Sequence, residues 1–126
     1  MRRFLFIVAI LAATSTAVLA GESPHYIVWG AGNDSCAKFL LERGSKSAQY
    51  HAEMNWIAGS ISRANVEWRA ALAPRGIDKD ILKGLDTSTL ESWLSDYCQK
   101  NPAKNLSLAA LALEKALYEH LALPKE

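Results

Sequence analysis

The chain has 126 residues, half of them apolar and 21% charged, with two cysteines and a formal net charge of +1. That balance describes one small domain. It is too apolar for a disordered tail and too short to hold a dinucleotide-binding half beside a substrate half.

Residues 1–20 have the three-part layout of a secretory signal. Arg2 and Arg3 supply a positive start, Phe4 to Ala13 an apolar stretch, and Val18-Leu19-Ala20 a small-residue cleavage site. The Arg2-Arg3 pair is ordinary for any export signal and needs no twin-arginine reading. Thr14, Ser15 and Thr16 weaken the stretch as a membrane anchor. The expectation is a periplasmic or secreted protein starting near Gly21, with no membrane span after cleavage. Losing the signal leaves 12 Lys and Arg against 13 Asp and Glu, a net charge of −1. No basic stripe remains that would neutralise several phosphates, so a nucleic-acid partner is not expected.

Residues 21–33 read as an extended arm broken by Pro24, Gly30 and Gly32, and the expectation is that it lays Trp29 on a helical body. The remainder, 34–126, reads as an all-α bundle of four to five helices. The first is expected from Ser35 to Arg43, capped by Asn33 or Asp34 and stopped by Gly44. Cys36, Phe39 and Leu40 fall at i, i+3 and i+4, which turns Cys36 toward the core. The second helix, about Ser47 to Trp68 with Ser45 or Ser47 as cap, carries an apolar seam of Tyr50, Met54, Ile57, Ile61, Ala64 and Trp68. Gly59 interrupts it, and a close helix crossing is the expected reason; a ligand notch is the alternative.

Ile77, Ile81 and Leu85 recur at four-residue spacing after Pro74, which fits one or two short helical turns. The third strong helix runs from Ser88 to Lys100. Asp86, Thr87 and Ser88 offer caps, Ser88 and Glu91 match a capping box, and Asn101-Pro102 ends it. Leu90, Trp93, Leu94, Tyr97 and Cys98 share one face, so Cys98 also points inward. The last helix, about Leu106 to Leu121, is apolar nearly all round at its start and is expected to be the central, most enclosed element.

Two core-facing cysteines 62 positions apart in an exported chain are expected to pair, two buried free thiols being the alternative. No Cys-x-x-Cys is present, so a thioredoxin-like site is not supported.

Little in the sequence points to catalytic or metal chemistry. His25, His51 and His120 have no second ligand at helical spacing, so no metal or other cofactor is expected. Gly30-Ala31-Gly32 lacks the third glycine of a dinucleotide turn, since position 35 is serine, and Gly59-Ser60-Ile61 does not make a nucleophile elbow. Asp78, Asp80 and Asp86 alternate with Arg75, Lys79 and Lys83 as an ordinary charged surface. Glu53 and Glu67 lie within the long helix with no evident partner that would perturb them. Asn33 and Asn105 each match the glycosylation acceptor pattern, which matters only in a eukaryotic secretory pathway. The chain is therefore read as not an enzyme. Trp29, Trp56, Gly59, Trp68 and Trp93 are the candidate packing or interface positions.

Cys36-Ala37-Lys38-Phe39-Leu40 resembles the Cys-x-x-Phe-Leu opening of the HdeA family of periplasmic acid-stress chaperones, and the Leu90 to Pro102 helix stands where that family has its second cysteine. The likeness covers roughly 35–117 and implies a helical fold with a Cys36–Cys98 bridge and a protein-holding activity in acid. Trp56-Ile57-Ala58-Gly59-Ser60, with Tyr97 to Pro102 and the Leu/Ala-rich last helix, is similar to secreted immunity proteins that neutralise amidase toxins of the type VI secretion system. This second likeness implies one cognate toxin as partner. The long arm and apolar final helix depart from the chaperone pattern. Both likenesses lead to protein partners, a second copy of the chain among them, with a structural envelope factor as a third reading.

Overall fold

The computed structural model describes residues 27–120. The expected signal, the first half of the arm with His25, and the end of the last predicted helix lie outside the described residues. Four α-helices make the fold: α1 Cys36–Ser45, α2 Ala48–Leu72, α3 Thr87–Lys100 and α4 Leu106–Glu119. Single 3-10 turns stand at Gly30–Asn33 and Ala73–Arg75. Among the described residues no strand forms, only an isolated bridge between Ser35 and Asn105. No described helix is long and apolar enough to cross a membrane.

Cys36 and Cys98 are joined, Sγ to Sγ at 2.10 Å, and both are sealed in the core. The bond ties the first turn of α1 to the last turn of α3. Around it the backbone is shared as well. The Cys36 and Ala37 N–H groups, orphans of a helix start, donate to the Lys104 and Pro102 carbonyls at 2.8 and 3.0 Å, and the Leu106 N–H donates to the Asp34 carbonyl at 2.9 Å. The starts of α1 and α4 thus satisfy each other's neighbourhoods. Phe39, Ile57, Leu94, Leu106 and Leu113 fill the space between the helices, each worth about 1.5–3 kcal/mol of transfer from water.

Helix boundaries differ from the expectation where side chains compete for the same groups. Ser35, not Asn33 or Asp34, caps α1 through its Oγ to the Lys38 N–H at 3.2 Å. Asp34 is engaged elsewhere, accepting from Lys38 Nζ at 2.8 Å and Gln49 Nε2 at 2.6 Å. Gly44 lies inside α1, and the left-handed residue that ends the helix is Lys46, at φ 51°. Its Nζ donates to Glu91 at 2.6 Å and to Tyr50 Oη at 3.0 Å, anchoring a conformation that glycine would adopt without help.

Ser47 caps α2, which runs one turn past Trp68 because buried Leu72 extends its seam before Pro74 stops it. Of the one or two helical turns expected after Pro74, one forms at 81–84, where Ile81 is buried and its N–H donates to Asn65 Oδ1 at 3.0 Å. Side-chain acceptors on Asn65 and Asp80 join the backbone bonds from Lys83 to Asp80 and from Leu85 to Leu82 there.

Asp86 caps α3, accepting from the Thr89 N–H at 2.7 Å and the Ser88 hydroxyl at 2.8 Å. The Ser88–Glu91 box does not form, since Glu91 reaches across to Lys46. Nor is α4 the enclosed centre. Leu111 is 52% exposed, and α2 is the helix on which α1, α4 and both 3-10 turns pack. Length decides this, because only 25 residues of helix reach all of those neighbours.

Removing the bridge by the double substitution Cys36→Ala and Cys98→Ala frees a loop of this size in the unfolded chain and is expected to lower stability by up to about 4 kcal/mol in urea denaturation. Hydrogen bonds from the Thr89 backbone and Ser88 hold the Asp86 carboxyl down at about 2. A depressed folded value means the cap's contribution is present above the ordinary aspartate range and is lost as pH falls through about 2. Asp86→Ala therefore lowers Tm at neutral pH, and the gap to the wild type closes in scans run toward pH 2.

Candidate functional site

An open groove of about 490 Å³ lies between the middle of α2 and the first turns of α4, lined by Asn55, Trp56, Gly59, Ser60, Arg63, Ser107 and Leu111. The sequence makes it through spacing. Trp56, Gly59, Ser60 and Arg63 fall at i, i+3, i+4 and i+7 of α2, one face of the helix, while Ser107 and Leu111 stand one turn apart on α4.

Trp56 is the floor and the strap is its cover. The 3-10 turn Gly30–Asn33 crosses the indole, whose Nε1 donates to the Trp29 carbonyl at 2.9 Å. A Cβ on Gly32 would overlap the six-membered ring, and Gly30 sits at φ 75°, so glycine at 32 is required for closeness and at 30 for backbone shape. The arm is thus docked by its backbone. The expected packing of Trp29 on the body is overturned, since its side chain is 83% exposed and Ile27 before it is 84% exposed.

Gly59 corrects another expectation. No neighbour lies within 4 Å of a Cβ built there, so no helix crosses close. The residue instead leaves the groove open. Trp68 stacks on Tyr118 at 4.2 Å between the ends of α2 and α4, and Trp93 stacks on Tyr97 at 5.4 Å along α3. These two are half-buried packing residues away from the groove, whereas Trp56 and Gly59 line it and Trp29 stands beside it.

The polar groups of the groove are largely engaged. Ser60 Oγ donates to Glu114 at 3.1 Å, Ser107 Oγ to Asn105 at 2.8 Å, and Arg63 pairs with Glu67 at 2.5 Å. Its lining has no histidine, cysteine or carboxylate. Among the described residues no three His, Cys, Asp or Glu come together as metal ligands; His51 and His120 are exposed on different helices.

Under the first turns of α1 lies Glu53, for which the sequence offered no perturbing partner and whose burial corrects that expectation. Glu53 is 0% exposed, and neither of its carboxylate oxygens has a hydrogen-bond partner. Burial first, and the charge of Asp34 second, push its carboxyl above the ordinary glutamate value, against the weaker pull of Lys38 and the Gln49 amide. Position 53 is Tyr50 plus three and Ile57 minus four, so the seam itself marked it as inward.

Compared with known proteins, the chain has no significant match to a family model, a curated protein or a solved structure.

The two glycines separate strap closure from helix propensity. Gly32→Ala is expected to destabilise by about 1–3 kcal/mol, as overpacking does. Gly59→Ala, exposed and in a helix interior, is expected to stabilise by about 0.5–1 kcal/mol. Paired thermal and urea unfolding of the variants checks both signs.

Proposed function

We propose that this is a non-enzymatic, exported protein-binding protein that engages a partner polypeptide at the groove over Trp56. The observation that carries the reading is the set of large apolar side chains left in water there. Trp29, whose carbonyl takes the indole N–H, and Leu111 on the rim are exposed beside a half-buried indole on a cross-linked frame. Apolar side chains grouped around a concave site are what a partner covers. Its occupant is an apolar side chain seated against Trp56 and Leu111, with the Asn55 amide and the Arg63 guanidinium as donors to the partner's backbone carbonyls.

Two versions follow from the two resemblances. In the acid-chaperone version, protonating the carboxylates leaves 12 Lys and Arg plus 3 His, a swing to about +15 for the mature part. Hydrogen-bonded Asp86 and Glu91, both held below their ordinary values, lose their stabilising contacts on that descent, and the bridge limits the unfolding. In the immunity version, the groove acts as it stands at neutral pH on one amidase toxin, and its preformed shape favours this reading.

Mature protein, Leu111→Glu and Gly59→Leu are to be compared in two assays. One is suppression of aggregation of an unrelated enzyme at roughly pH 2 to 3; the other is capture of type VI amidases at neutral pH. Suppression in acid selects the chaperone version, and capture of a single amidase without it selects the immunity version. In either case the groove variants are expected to lose at least about tenfold in affinity, as a disrupted central contact does. Activity in neither assay, or activity indifferent to both substitutions, would sink the proposal.

A further inference from the structure

An ionised carboxylate fully buried without a hydrogen-bond partner is held at high free-energy cost, so the proton is the cheapest counter-charge Glu53 has. Its surroundings supply only the weaker pull of Lys38. The charged groups facing it are Asp34 at the end of the strap and Lys38 and Glu42 on α1, with the Gln49 amide on its own helix. Lys38 Nζ is drawn to Asp34 at 2.8 Å and Gln49 Nε2 to the other Asp34 oxygen at 2.6 Å. Asp34 therefore competes for both donors near Glu53 and adds a like charge. Of the elements around this carboxyl, α1 is tied to α3 by the disulfide and α2 carries Glu53 itself. The strap runs through Ser35 into the first turn of α1, so only its Gly30 side is free to swing. It is held by the Trp56 indole on the Trp29 carbonyl, by the Leu106 N–H on the Asp34 carbonyl, and by the Asp34 salt bridge.

We infer that Glu53 is a proton-operated latch under the strap: carrying its proton it lets Gly30–Asp34 lie closed over Trp56, and on ionising it drives Asp34 and the strap outward, uncovering the indole. The sign follows from a folded-state value raised above the unfolded one. The stabilisation is complete below the ordinary glutamate range and is lost as pH rises through the raised value. This is opposite to Asp86, so acid closes the strap while it weakens the α3 cap. The latch stands on the burial of Glu53 and is independent of which partner, if any, uses the groove.

Hydrogen exchange of the Trp56 indole N–H and the Leu106 amide, corrected for intrinsic rates, reads the strap directly, since each has an acceptor on the strap or at its end. Wild type and Glu53→Gln are to be compared between about pH 5 and about pH 8, with the Glu53 carboxyl followed by carbon NMR. Protection in the wild type is expected to fall about tenfold for each unit by which the carboxyl is raised, and to stay level in Glu53→Gln. Equal pH dependence in the two proteins overturns the latch. So does a Glu53 midpoint at the ordinary value of 4.5, a readout that holds even if the variant does not fold. A raised midpoint with level wild-type protection overturns it too.

Discussion

The bond between Cys36 and Cys98, with the backbone hydrogen bonds set around it, is the constraint from which the other contacts take their positions. It joins the start of one helix to the end of another across 62 positions of chain, and the Pro102–Asn105 connection then delivers α4 beside the same point. Helix starts carry unpaired N–H groups that a buried joint must satisfy. Here the carbonyls of a proline-containing turn do so, and Asp34 returns the favour to α4. The disulfide acts mainly on the unfolded chain, the hydrogen bonds on the folded one. Together they let a small domain hold an arm and a groove on one side without relying on core area alone.

What rests on that joint is a surface of opposed tendencies. The strap is fastened by polar contacts to an indole and to a helix start, above a helix whose buried carboxyl prefers to be neutral. Carboxylates such as Asp86 and Glu91 lie on the other side of the balance, bonded in their charged forms. Proton uptake thus stabilises one place and loosens another. Both proposed protein-binding versions draw on the same exposed residues.

The all-helical class, the existence of the four main helices and the cysteine pairing were legible because each depends on short-range periodicity or on two residue types turned to the same side. The seam of α2 at spacings of three and four is visible in any numbering, and the inward face of Cys98 follows from Leu90 and Leu94. Glu53 was legible in principle, for it occupies a seam position between Tyr50 and Ile57. What hid it is that a charged residue in a helix is ordinarily placed on the wet side. Caps were harder. Several neighbouring side chains offered the same oxygen, and Asp34 lost its place to Ser35 through partners, Lys38 and Gln49, of which Gln49 arrives from the next helix.

The amino-acid order by itself determined the helices, their apolar faces and the identity of the two residues able to cross-link, because these are set by neighbours within about two turns. Only the tertiary structure decided that Gly59 opens a groove where a crossing was expected, that Trp56 bears the arm's backbone while Trp29 faces water, and that α2 is the central helix. Those outcomes depend on which surfaces meet after the helices pack, and a glycine or tryptophan reads the same in sequence whether its neighbour is solvent, another helix or the chain's own strap.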